Sequence, residues 1–180
     1  MMRSSTIARN YAEALLELAT RAKDLRGWGM LLQGIAKAME REETLRVFLE
    51  TPRVSTATKK EVLRKALLDR APSKFVRFVE SVVSHRRQML IPEIAQEYMD
   101  LVDQAENRMH ADVTVARETD EKTRKVIADR LSKVFNKTVI PHLTVDSRII
   151  GGLVVRVGDT VMDGSVRRKL GALKHRMLST

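Results

Sequence analysis

No cysteine occurs in the 180 residues, so disulfide staples, thiolate metal sites and a cysteine nucleophile are all excluded. Aromatic residues make up only 4% of the chain. Packing therefore falls to Leu, Val, Ile, Ala and nine Met, a palette that favours helices over an all-β sandwich. No apolar stretch approaches the roughly 20 residues needed to cross a bilayer. The most continuous one, Ile149 to Val155, is far shorter. The opening Met1-Met2-Arg3-Ser4-Ser5-Thr6 lacks the apolar run of a signal peptide, and Glu13 and Glu17 argue against an acid-poor transit peptide. A soluble chain, able to work beside a membrane, is the expectation; the lack of a targeting segment points to a bacterial cytoplasm, and a mature organellar chain fits the same features.

Signals of catalysis are equally sparse. The four histidines, His85, His110, His142 and His175, are scattered, without ligand spacing. The carboxylate pairs Glu42-Glu43 and Asp120-Glu121 stand where helices begin, and there they complement the macrodipole by about 0.3–1 kcal/mol each. No serine lies in a nucleophile-elbow or SxxK context. Gly151-Gly152 matches neither the P-loop nor the dinucleotide fingerprint and runs into a strand, so close backbone approach or a bulge explains the pair better than phosphate binding. No catalytic residue, metal ligand, cofactor or small-molecule substrate is expected.

What is present is an apolar fraction of 43%, too high for disorder, beside 31% charged residues. The net charge of +10 is uneven. Residues 1–106 hold 18 Lys/Arg against 15 Asp/Glu, and residues 107–180 hold 15 against 8. A basic C-terminal part expects an acidic partner, whether protein, nucleic acid or lipid surface.

The first hundred residues read as successive short helices. From Thr6, the positions Ile7, Tyr11, Ala14, Leu15 and Leu18 recur at helical spacing, with a second stripe of Ala8, Ala12, Leu16 and Ala19 opposite. A helix apolar on two sides is expected to be covered on both. Gly27-Trp28-Gly29 opens a second helix running to Met39; a third spans about Glu42 to Leu49, ended by Thr51-Pro52. Thr58 to Glu61 has capping-box spacing, with Ser55 or Thr56 as other candidate caps. Val62, Leu63, Ala66 and Leu67 form the expected inner face of a fourth helix. Pro72 suits the start of a fifth, and Ile91 to Asn107 forms a sixth.

The period then changes. Ala111, Val113 and Val115 alternate with polar neighbours as in a strand, and Asp120 to Asn136 returns to helical spacing. Thr138 to Val145, Gly151 to Val157 and Thr160 to Met162 read as strands, and Ser165 to about Leu178 as a last helix. The fold class is mainly α: an N-terminal six-helix bundle (1–106) followed by a small C-terminal α/β domain (107–180).

Ser165 is a plausible N-cap, yet Arg167, Arg168 and Lys169 follow in the first turn, where the macrodipole disfavours cations. An acidic partner docking there relieves the mismatch. Nucleic acid fits the charge, but no aromatic residues interleave these cations and no helix-turn-helix or RRM signature occurs.

The stretch from Val145 through Gly151-Gly152-Leu153 and Asp163-Gly164-Ser165 to Leu170 resembles the C-terminal signature of the ATP synthase delta family, whose mitochondrial relative confers oligomycin sensitivity. Ala8 to Leu15 resembles the family's opening helix, and Phe48 to Pro52 and Ile91 to Ile94 match in register. The resemblance implies a non-catalytic stator subunit on the cytoplasmic face of a bacterial membrane, attached only through its complex. It implies that an N-terminal helix of an alpha subunit docks across the first and fifth helices, and that the stalk's b subunits engage the C-terminal domain. With a two-faced first helix, this predicts a groove lined by Ala8, Tyr11, Ala12, Leu16, Phe78 and Val82, and a stalk contact through Arg167, Arg168 and Lys169. An Ala12→Asp exchange is then expected to spare the fold and abolish docking. The alternative is a basic nucleic-acid-binding adaptor.

Overall fold

The computed structural model describes residues 2–158, 160–168, 170 and 171. The chain divides into two compact units between Asp103 and Gln104. It is mainly helical, with a small four-stranded sheet in the second unit.

Unit 1 is built from α1 (Met2–Ala22), α2 (Leu25–Arg41), α3 (Glu43–Glu50), α4 (Thr56–Leu67), α5 (Ser73–Ser84) and α6 (Ile91–Ala105), with a single 3-10 turn at Gln88–Leu90. Asp24 caps α2 by accepting from the Gly27 amide at 2.9 Å, and a Cβ on Gly27 would strike that carboxylate. Its neighbour Gly29 lets α2 approach α6 closely, because a Cβ there would come within 2.7 Å of Met99 Sδ. Between the two glycines Trp28 is fully buried, edge-on to Phe75 with ring centroids 5.8 Å apart. The Tyr98 hydroxyl donates to the Leu25 carbonyl at 2.8 Å, and burial pushes its pKa well above the usual phenol range.

The junction of α3 and α4 is held by a buried cation. Lys59 Nζ donates to the Leu49 and Thr51 carbonyls, each at 2.7 Å, and so closes the C-terminal end of α3. Gln88 Nε2 reaches the Leu49 carbonyl too, at 2.7 Å, which fixes its amide orientation and leaves Oε1 without a partner among the described residues. The true cap of α4 is Ser55, whose Oγ accepts from the Thr58 amide. The capping box starting at Thr58 therefore does not form, since that residue already lies inside the helix.

At the end of α5 the Arg87 amide bonds back to the Val82 carbonyl and Arg86 takes φ 56°, a left-handed C-terminal turn. A side chain there is strained, so Arg86→Gly is expected to stabilise unit 1 by about 0.5–1 kcal/mol. A higher denaturant midpoint at unchanged slope would confirm it.

Unit 2 carries β1 (Arg108–Val115), α7 (Glu121–Phe135), β2 (Thr138–Val145), β3 (Leu153–Val157) and β4 (Thr160–Asp163). The sheet order is β2-β1-β3-β4. The first pair is parallel, joined through α7, and the other two are antiparallel. Asp120 caps α7 by accepting from the Thr123 amide, and hydrogen bonding from the Thr123 side chain, with that amide second, holds its carboxyl below the usual range. Ala111, Val113 and Val115 pack on Ile127, Leu131, Val139 and Val155 to form the core. Gly152, at φ 81°, has no room for a side chain, because a Cβ would lie 2.5 Å from the Gly164 carbonyl oxygen. That close approach accounts for the glycine pair at the start of β3. Ser165 Oγ accepts from the Arg168 amide, so the expected cap is in place. The expected helix beyond residue 171 and His175 lie outside the described residues.

Candidate docking surfaces

The chemically capable groups are dispersed. His110 Nδ1 and His142 Nε2 meet at 2.7 Å across the parallel pair β1/β2. The centroid separation of 4.9 Å matches two rings placed edge to edge, so this is one N–H···N bond rather than a face stack. His85 Nδ1 donates to the Ser81 carbonyl one turn back. Among the described residues no group of three or more His, Asp or Glu stands together as a metal site.

On unit 1, the six residues expected to line a groove between α1 and α5 divide sharply. Ala8 and Ala12 are fully enclosed by the chain itself, and Phe78 and Val82 are buried in the same core. The expectation that these four form an outer lining is corrected: Ala8, Ala12, Leu15 and Ala19 make one continuous inner stripe. Small alanines allow close packing, and the unit uses that closeness for its own helices. Tyr11 and Leu16 remain half-exposed at the margin. Tyr11 lies edge-on to Phe78 with centroids 6.2 Å apart, and Arg87 covers it, donating from Nη1 to the hydroxyl at 3.2 Å.

A more open apolar surface of unit 1 lies between α2 and α4, a groove of about 680 Å³. Met30, Leu31, Gly34, Val62 and Ala66 contribute to it, and Met30 is 67% exposed. Val62 and Ala66, expected on the inner face of α4, lie on its exposed side, because Lys59, Leu63 and Leu67 take the inward positions.

Unit 2 carries a groove of about 740 Å³ between α7 and the start of β3. Val126 and Val134 on α7 face it and are exposed, whereas Ile127 and Leu131 pack inward. Ile150 closes one side, 68% exposed, with φ 63° and ψ −43°. The Gly151 amide bonds to the Ile149 carbonyl at 2.7 Å, which makes Ile150 the centre of the rarer, strained form of γ-turn. Holding a β-branched residue there costs on the order of 1–3 kcal/mol. Just before it, Asp146 grips Arg148 through side-chain bonds of 2.7–3.0 Å, and its carboxyl is held down at about 2. Arg167 and Arg168 are exposed beside Val166, whose amide bonds to the Gly151 carbonyl; Lys169 lies outside the described residues.

Lys59 and Ile150 had no sequence signal as special positions. Lys59 looked like any cation of a helix start, and Ile150 like part of an apolar run. Only the Gly151-Gly152 pair that follows hints at the turn.

The family model described as ATP synthase delta (OSCP) subunit matches residues 7–177. An ATP synthase subunit delta of Gemmatimonas aurantiaca is 55% identical over 179 residues, covering 99% of this chain and 97% of that protein. The one of Desulforamulus reducens is 35% identical over 178 residues, covering 99% and 98%. Among solved structures, a chain of the Toxoplasma gondii mitochondrial ATP synthase hexamer aligns with a TM-score of 0.62 over 95% of this chain and 97% of that one. At 19% identity that likeness concerns the fold alone.

Proposed function

The chain belongs to the ATP synthase delta (OSCP) family, non-catalytic peripheral-stalk components of the F-type ATP synthase, and we propose that its two units are two separate attachments of the stator. Unit 1, read as a six-helix bundle over 1–106, holds the catalytic head through the N-terminal helix of an alpha subunit. Unit 2, over 107–180, holds the b subunits of the stalk. The nucleic-acid alternative gives way to the family membership.

One observation carries this reading: each compact unit presents an open, mostly apolar groove. A joint under rotor torque needs slow-dissociating contacts on two bodies, not a reactive centre. An amphipathic helix laid into an apolar groove supplies them, at about 25 cal/mol per Å² buried before ordering costs. Among the described residues no helix is long and apolar enough to cross a membrane. Attachment to the cytoplasmic face therefore runs through the complex in this reading.

Two surfaces of unit 1 compete for the head's helix. The α1/α5 margin offers Tyr11 and Leu16, with Ala8, Ala12, Phe78 and Val82 supporting them from beneath. The α2/α4 groove offers more open apolar surface. Titration of the alpha N-terminal peptide into full-length variants separates them. Leu16→Gln is expected to weaken binding at least tenfold if the α1/α5 margin is used, and Val62→Asp if the α2/α4 groove is. Unchanged affinity in both variants would overturn head binding by unit 1 as described.

A further inference from the structure

We propose that the groove of unit 2 seats an acidic amphipathic helix of the peripheral stalk, with Ile150 as its apolar anchor and Arg130 as the residue that reads its charge. The inference rests on the stalk reading above and adds the surface, the pattern of the partner and the anchor.

Three independent features converge on it. First, Val126, Arg130 and Val134 recur at intervals of four along α7, all exposed and all facing the groove. They form a stripe of about 12 Å with a cation at its middle. Among the described residues Arg130 has no carboxylate partner. The complementary helix therefore carries an acidic residue with apolar residues about one turn to either side. Second, Arg117 joins Arg130 on the groove against the single carboxylate of Glu118, and along α7 the exposed Lys122, Arg124, Lys125 and Lys133 outnumber the exposed Glu121 and Asp129. The field at this surface favours an acidic guest.

Third, Ile150 is out of place in the free chain. It occupies a backbone conformation that suits glycine, directly before two glycines, and its side chain is 68% exposed. Neither the backbone nor burial within the chain rewards isoleucine there. Burial under a partner does, and strain kept at a binding surface is a recognised cost of pre-organisation. The turn holds the side chain out over the groove before the partner arrives.

The test uses the full chain and the soluble portion of the b subunits from the same complex. Ile150→Gly is expected to raise the thermal midpoint of the free chain by about 5 °C while weakening stalk binding at least tenfold. A purely structural role does not produce that opposed pair of effects. Ile150→Val, which keeps the apolar branched side chain, retains most of the affinity. Arg130→Glu weakens binding more at low salt than at high salt. If the parent chain does not bind b at all, the stalk reading fails. If the parent binds and both Ile150→Gly and Arg130→Glu bind equally well, this inference fails while the stalk reading stands.

The absence of cysteine makes Val134→Cys a unique thiol for labelling. It is expected to react freely in the isolated chain and to be protected by b. Protection in the isolated chain would overturn the proposal. A dependence on protein concentration would name a second copy as the occupant, and its absence would name the chain itself.

Discussion

Ala12→Asp is expected to abolish the cooperative folding of unit 1 rather than merely to block a partner. Ala12 has no exposed surface and belongs to the stripe Ala8, Ala12, Leu15 and Ala19, every member of which is fully enclosed. A carboxylate introduced there has neither water nor a cation within the packed seam. An unpaired buried charge costs several kcal/mol even after relaxation, or forces uptake of a proton, and an alanine-sized space adds overpacking. Against a domain stability of about 5–15 kcal/mol, such a loss leaves little folded population. Circular dichroism melting and amide exchange would show unit 1 losing protection while the strands of unit 2 keep theirs. Ala14→Asp, on the exposed side of the same helix, is the control and melts like the parent. A parent-like transition in Ala12→Asp would mean that the alanine stripe is not the packed side.

The second large effect is expected at Lys59. The residue is 5% exposed, and its ammonium closes the end of α3 through two carbonyls at 2.7 Å. Lys59→Met keeps the length of the side chain and removes both bonds. Bonds to charged groups contribute about 1.5–3 kcal/mol each, and the desolvation of the ammonium returns part of that. The net loss is about 2–3 kcal/mol, a fall in the midpoint of roughly 10 °C for a domain of this size. Amide exchange should show the damage first at the Thr51 to Ser55 turn. The Leu49 carbonyl keeps the Gln88 amide as a donor, whereas the Thr51 carbonyl loses its ammonium. An unchanged midpoint would show that Lys59 is only accommodated and not used.

These two positions show where reading from sequence succeeds and where it stops. The helices of unit 1 were legible because apolar spacing, Pro52, Pro72 and the Gly27-Trp28-Gly29 start are local signals. The strands of unit 2 were legible for the same reason: Ala111, Val113 and Val115 alternate, and Thr138 to Val145 is rich in β-branched residues. Which side of α1 faces inward was not legible. Both stripes are apolar, and the period is the same whether the cover is the chain's own helices or a guest. The inner position of Lys59 was hidden likewise, because a lysine at a helix start resembles a solvated one until two carbonyls from another turn meet it.

The sequence by itself determined the order of elements, the change of period near residue 107, the lack of any cysteine-based chemistry and, through the motif from Val145 to Leu170, the family. All of these are set by contacts between near neighbours along the chain, or by residue identity alone. Tertiary packing decided that Ala8, Ala12, Phe78 and Val82 are consumed by the core, that Val62, Val126 and Val134 stand outside it, and that Ile150 is held out in a strained turn. Burial depends on what arrives from distant parts of the chain, and one-dimensional periodicity carries no record of that.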